Sequence, residues 1–187
     1  MDNVIFYREW WGLPKHHFRI LAMLADLGDF RGNLADMCRY LGIDPKQQKN
    51  RENLRQSIEY LTSNGFVTSE QTGRTYHLTA IPKEHPISMK QEWMHQLKNR
   101  TNTSPSVAWE QVLKVYLWIH EHSQEKYVTN RQIEADLKIS TNAIVSAKNV
   151  LEREYEAITR SKVSEKIDDD FFITVGQRLC AAAWWKD

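Results

Sequence analysis

Apolar residues recur every three or four positions in several stretches of the chain, and two of these stretches share one order of apolar and polar positions. Asn33, Met37, Leu41, Ile43 and Asp44 align with Thr129, Ile133, Leu137, Ile139 and Ser140 at a constant offset of 96. Asn33 and Thr129 can accept hydrogen bonds from the free N–H groups that open a helix, and Asp44 and Ser140 can do so for the next one. Between those caps, Met37 with Leu41 and Ile133 with Leu137 stand four apart on one helical face. The spacing predicts a short helix, a tight corner and another helix, twice over. An αα-hairpin that merely packs carries the same local marks, so the duplication with matching flanks is what points to a repeated domain.

The flanks extend the repeat. Residues 3–11 mix β-branched and aromatic types and predict a short strand or extended arm. Pro14 suits a first helical turn, and Phe18, Leu21, Leu24 and Ala25 continue a helical stripe up to Gly28. A second helix is predicted over 34–41, with Gly42, Ile43 and Asp44 as the turn. A third starts between Pro45 and Asn50 and carries Leu54, Ile58 and Leu61 to a C-cap at Asn64 and Gly65. Residues 66–70 and 74–79, separated by Gln71, Thr72 and Gly73, predict a β-hairpin. A linker is expected over 83–105, where prolines and a polar run gather, with Ser88 and Gln91 as the capping box of a short helix near 89–98.

In the second half, a helix is predicted over 107–122, with Val112, Val115, Tyr116 and Ile119 on one face. Thr129 with Gln132 opens another helix to Lys138, and Ser140 opens a third, carried by Ile144, Ala147, Leu151, Tyr155 and Ile158. A longer hairpin follows, outgoing over 159–167 and returning over 171–175, with Asp168, Asp169 and Asp170 at its tip. Residues 177–185, alanine-rich in the middle, predict a closing helix. The expected fold is mainly α with small β-hairpins (α+β): two tandem winged-helix domains, 1–82 and 106–187, joined by a linker, 83–105, that contains the short helix.

Composition narrows the function classes. At 187 residues and 41% hydrophobic, the chain can bury one or two cores, and its seven Trp are expected mostly as buried anchors. No apolar run approaches the roughly 20 residues that cross a bilayer, and Arg8, Glu9, Lys15 and Arg19 are unlike a signal peptide. The expectation is a cytoplasmic protein with no membrane partner, and with Cys38 and Cys180 as reduced thiols in helical stretches. Net charge is +1, distributed as +1 over 1–87, +2 over 88–105 and −2 over 106–187, so no half is a polybasic arm. Local charge matters more: Lys46, Lys49, Arg51 and Arg55 stand against Glu52 alone, a local +3 able to neutralise phosphates.

In a helix-turn-helix the second helix enters the major groove and must present hydrogen-bonding side chains to base edges. In the first domain the candidates are Lys46, Gln47, Gln48, Lys49, Asn50, Arg51, Arg55 and Gln56: amides suit adenine, guanidinium suits guanine, and lysine suits phosphate. In the second they are Asn142, Ser146, Asn149 and Arg153, an outward face that also holds Val145 and has little charge. Hairpins beside such helices lie along the backbone or minor groove, a role that Arg74 fits in the first domain and Arg160 and Lys162 in the second. The acidic tip at Asp168 to Asp170 is expected to point away from DNA, as a solvated turn rather than a metal cluster.

Nothing in the chain reads as catalytic machinery. His16 with His17 and His120 with His122 lack the i,i+4 zinc spacing, and there is no CxxC pair and no phosphate-binding glycine loop. No cofactor and no metal are expected. The run Asn50, Arg51, Leu54, Ile58, Leu61, Gly65, Phe66, Val67, with Leu137, Ile139, Ser140, Ile144, Ala147 and Leu151, resembles the tandem winged-helix proteins of bacterial mobile elements, including plasmid and phage replication initiators. The resemblance implies a non-enzymatic, double-stranded DNA-binding protein that serves replication initiation or transcription regulation. It implies contacts from both domains, exchange between monomer and homodimer, and replication or transcription proteins as further partners. It places Lys49, Arg51 and Arg55 in one groove and Asn142 and Ser146 in another. The alternative from another class is a winged-helix adaptor or dimerisation module that binds protein and not DNA, which near-neutral net charge permits.

Overall fold

The computed structural model describes residues 3–99, 107–122, 128–166 and 173–181, with 160–166 and 173–181 described by their backbone. The chain is mixed α+β, with seven α-helices and three small antiparallel sheets among the described residues. It divides into two compact units, Met1–Gln91 and Glu92–Asp187.

The first unit runs β1 (Asn3–Tyr7), a 3₁₀ turn (Arg8–Trp10), α1 (Lys15–Leu27), β2 (Asp29–Gly32), α2 (Leu34–Leu41), α3 (Gln48–Ser63), β3 (Val67–Thr72), β4 (Thr75–Ala80) and β5 (Pro86–Lys90). Its core forms around α1, whose Phe18, Ile20, Leu21, Ala22, Met23 and Leu24 are all buried. Phe6 of β1 stacks on Phe18 with ring centroids 6.3 Å apart and meets Trp10 edge-on at 6.1 Å. Such aromatic pairs add about 0.5–1.5 kcal/mol to the burial itself. On α3, Leu54, Ile58 and Leu61 face inward, and the His17 ring of α1 stacks on Tyr60 at 4.4 Å. A three-stranded sheet in the order β2-β4-β3 carries buried Phe30, Val67, Tyr76 and Leu78 against these helices.

Local chemistry fixes the corner. The Asn33 Oδ1 accepts the N–H groups of Ala35 and Asp36, while Asp36 Oδ2 accepts the N–H of Asn33 at 3.0 Å, a reciprocal capping box. Gly32 lets that box lie against β2: a Cβ there would come 2.9 Å from Phe30 Cζ and 3.2 Å from the Asp36 carboxylate. Gly42 ends α2 in the left-handed region with φ +68.

The second unit holds most of α4 (Gln91–Lys98), then α5 (Trp109–His122), α6 (Asn130–Leu137), α7 (Thr141–Arg153), β6 (Ile158–Lys166) and β7 (Ile173–Ala181). The middle of α5 is buried all round, from Val112 to Ile119, so it forms the centre of this unit. Trp118 Nε1 donates to Asp136 Oδ2 at 2.7 Å and ties α5 to α6. Two lysines are buried here. Lys148 donates to Asn130 Oδ1 at 2.6 Å, and burial pushes the Lys114 ammonium down to about 8, against the opposing pull of Glu110.

The first of the two duplicated caps recurs in three dimensions, and the second forms in this unit. Thr129 and Gln132 form a second capping box, and Ser140 Oγ accepts from the Ala143 N–H. The counterpart of Gly42 at the same offset is Lys138, which ends α6 at φ 52. A side chain in the left-handed region costs about 1–2 kcal/mol. Lys138→Gly is therefore expected to stabilise the second unit by about 0.5–1 kcal/mol, the gain being trimmed by the freedom glycine adds to the unfolded chain. Denaturant unfolding of the two chains checks this, and a loss of stability would contradict it.

Several expectations are corrected. Asp44 does not cap α3: its Oδ1 accepts the Lys46 N–H at 2.9 Å in a tight turn, and α3 begins after Gln47. Strand β2 was not expected, and it exists through its pairing with β4. The first hairpin turns at Gly73 and Arg74, between paired Thr72 and Thr75, because Gly73 supplies the positive φ (+60) that a two-residue turn needs. The stretch 83–105 is not linker from its start. Ile5 pairs with Ser88 and Phe6 with Ile87 in the β1–β5 ribbon, so Ser88 caps no helix.

In the second unit α7 ends at Arg153, and Tyr155 and Ile158 lie beyond it; Glu156 takes a left-handed turn (φ 50) into β6. The closing helix over 177–185 is overturned through residue 181, since Gln177 to Ala181 extend β7 in register with Lys162 to Ile158 of β6. Long-range backbone pairing outweighs the helix propensity of alanine. The tip at Asp168, Asp169 and Asp170 lies outside the described residues, as do 182–187. Cys180 is thus on a strand, while Cys38 is buried on α2. No helix among the described residues is long and apolar enough to cross a membrane.

Candidate nucleic-acid interface

The sequence of α3 divides its surface into three strips. Leu54, Ser57, Ile58 and Leu61 face the core. Asn50, Asn53 and Ser57 border a small cavity of about 60 Å³ beside His16 and Arg19 of α1. Arg51 and Arg55, four residues apart and so one above the other on the helix, lie on the opposite flank.

That flank faces a cleft of about 560 Å³. Its walls are the start of α2 (Asn33, Leu34, Ala35), the two α3 arginines, and the hairpin residues Gln71, Arg74 and Tyr76. Among the described residues, three guanidinium groups line it and no carboxylate does. Arg51 is held from behind, its Nη1 donating to the Pro45 carbonyl at 2.6 Å, which leaves the rest of the fork for another acceptor. Arg55 pairs with Glu52 through Nη1, an exposed i,i+3 contact. Arg74 lies in the turn, exposed, with no hydrogen-bond or ion-pair partner among the described residues. Gln71 Nε2 donates to the Gly73 carbonyl at 2.9 Å and braces that turn. The Asn33 cap takes the N–H groups of Ala35 and Asp36, and Asn33, Leu34 and Ala35 bring the positive end of α2 to the cleft. The arrangement suits anionic oxygen ligands: permanent cations in fork geometry, with Glu52 as the carboxylate that competes for Arg55.

No protein-family model matches the chain, and no curated protein does. The site therefore rests on its own geometry.

The remaining sequence candidates are distributed differently. Lys46, Gln47, Gln48 and Lys49 are exposed around the start of α3, away from the cleft lining. Asn50 is half-buried, its Nδ2 donating to the Asp44 carbonyl at 2.9 Å; it holds the α2–α3 turn together and is removed from the set of free donors. Gln56 is exposed, with Nε2 3.5 Å from Glu52 Oε1. In the second unit Asn142 and Arg153 are exposed and Ser146 and Asn149 half-buried along α7, where Val145 is 37% exposed. Arg160 and Lys162 occupy β6 positions opposite Leu179 and Gln177, and their side chains lie outside the described set.

Sequence reasoning did not assign Asn33, Leu34, Gln71 or Tyr76 to this surface. In the sequence Asn33 has the marks of a cap and Gln71 those of a turn residue. The i,i+4 spacing of Arg51 and Arg55 was a usable signal; what was lacking was the packing of the hairpin against that one flank.

Proposed function

We propose that the protein binds double-stranded DNA through tandem winged-helix domains, the first providing the main contact, as a non-enzymatic replication initiator or transcription regulator of a bacterial mobile element. The order helix, strand, helix, helix, hairpin in the first unit, with β2 joining the hairpin sheet, supports the winged-helix reading. The observation that carries the proposal is the convergence of Arg51 and Arg55 of α3 with Arg74 of the hairpin on one cleft with no carboxylate among its described lining residues. These are the two elements that a winged helix lays on duplex DNA.

Anisotropy of a labelled random-sequence duplex, titrated with the full chain at several salt concentrations, tests the proposal. One phosphate neutralised at the cleft predicts that log affinity falls with log salt at a slope of about −0.9, with about −0.9 more for each phosphate that the α3 lysines engage. Absence of duplex binding at low salt would sink it. One variant sharpens the test. Glu52→Gln removes the carboxylate that occupies Arg55 Nη1, and since exposed ion pairs are worth up to about 1 kcal/mol, duplex affinity at low salt is expected to rise by up to about fivefold. A fall in affinity would contradict that account of Arg55.

For the second unit the exposed Val145, between the uncharged Asn142 and Ser146 on α7, favours a protein contact such as homodimerisation. Sedimentation equilibrium of the wild-type chain and Val145→Asp distinguishes that role from a DNA contact.

A further inference from the structure

We propose that the cleft between α3, the start of α2 and the Gly73–Arg74 turn is a seat for a single phosphate group gripped from opposite walls, with the duplex backbone as its natural source; that source rests on the DNA-binding reading above. Arg51 and Arg55 supply one wall, spaced by one helical turn, and Arg74 supplies the other from the hairpin. The positive end of α2, a capped eight-residue helix, lines the cleft between those walls at Asn33, Leu34 and Ala35.

The three cations differ in readiness. Arg51 is braced by the Pro45 carbonyl, so its guanidinium is already oriented; Arg55 must exchange a carboxylate for the phosphate; Arg74 has no partner to give up among the described residues. Arg74 is therefore the residue whose charge is most fully redirected by a ligand. A guanidinium fork meets two phosphate oxygens at once, which an ammonium cannot do, so Arg74→Lys keeps the charge while losing the fork. At about 560 Å³ the cleft is larger than one phosphate and leaves room for the sugars on either side, with Tyr76 as a wall. The other lining amide, Gln71, is turned to the Gly73 carbonyl and fixes the loop that carries Arg74.

The same chemistry would accept a free phosphorylated small molecule, so the experiment has two arms. In the first, inorganic phosphate is titrated into the full chain and the arginine Nε–H signals are followed by NMR. The signals of Arg51, Arg55 and Arg74 are expected to move together along one saturation curve, and those of Arg51 and Arg55 to stop responding in Arg74→Ala. In the second, duplex affinity and its salt slope are compared for wild type, Arg74→Ala and Arg74→Lys. Arg74→Ala is expected to bind about tenfold more weakly with a slope reduced by about 0.9, and Arg74→Lys to keep the slope while losing affinity. Phosphate response with unaltered duplex binding would keep the seat and overturn the duplex as its source. Phosphate response in a chain that binds no duplex would keep the seat and overturn the DNA-binding reading. Duplex binding indifferent to Arg74, with no phosphate response, would overturn the seat and leave that reading standing.

Discussion

Alanine at Arg51, Arg55 and Arg74 together is expected to weaken duplex binding by on the order of 10²–10³ at 0.1 M salt and to flatten the salt slope by about 0.9. The one seated phosphate releases about 0.9 of a condensed counterion, about 0.9 of a decade at that concentration, and the lost charge-assisted hydrogen bonds, each worth about 1.5–3 kcal/mol, supply the rest. The change should be concentrated at the cleft. A Lys46→Ala Lys49→Ala chain removes two charges from the exposed start of α3 and is expected to lose less affinity, because those side chains are not gathered around a common acceptor. Arg51 also braces the loop before α3, so its removal costs about 1–2 kcal/mol of stability through the bond to the Pro45 carbonyl, and thermal unfolding must show the variant folded at the assay temperature. An unchanged salt slope in the folded triple variant would show that the cleft is not where duplex phosphate is neutralised.

A second large effect is expected in alkaline solution. Lys114 is 1% exposed on the central helix of its unit, and burial lowers its ammonium to about 8 in the folded chain from the ordinary lysine value of 10.5. Below pH 8 both the folded and the unfolded chain carry the proton, and the full cost of burying the charge is present. Between pH 8 and 10.5 the unfolded chain binds more protons than the folded one, so stability rises with pH and reaches its full gain above that window. The size of the gain is about 3 kcal/mol at 1.36 kcal/mol per pH unit. Denaturant unfolding of wild type and of a Lys114→Met Glu110→Gln chain, which removes both members of the i,i+4 pair, isolates this contribution from other titrating groups. The wild-type curve should climb relative to the double variant across that window. Parallel curves would mean that Lys114 keeps its charge at no cost.

What the sequence disclosed was what is local. The capping boxes at Asn33 and Thr129 depend on residues three positions apart, and α2, with its Gly42 end, was legible for that reason. The inward stripe of α3 was equally plain in the spacing of Leu54, Ile58 and Leu61. What it concealed was non-local. Strand β2 has four residues and a single buried apolar side chain, Phe30, which is too little for a periodic signal. In β5 the alternation of Ile87 and Met89 is present, but two prolines nearby read as linker until β1 is known to lie alongside. At the C-terminal end the alanines argued for a helix, whereas pairing with β6 decided the outcome at least to Ala181. The cleft follows the same division. Its three arginines could each be named from charge and context, but Asn33, Leu34, Gln71 and Tyr76 join them only through the packing of α2 and the hairpin against one flank of α3.

The β1–β5 ribbon has a mechanical consequence. Asn3 lies opposite Lys90, and the ladder then runs inward through five pairs to Tyr7 opposite Pro86, where the Arg8 N–H bonds the His85 carbonyl at 3.0 Å. Tension applied across Asn3 and Lys90 would load the hydrogen bonds one pair at a time, as a zipper opens, rather than all at once in shear. Each rung is worth only about 1 kcal/mol net. The rungs alone thus offer little resistance to such a pull, and what holds the ribbon is the burial of Val4, Phe6, Ile87 and Met89, with Phe6 stacked on Phe18 of α1.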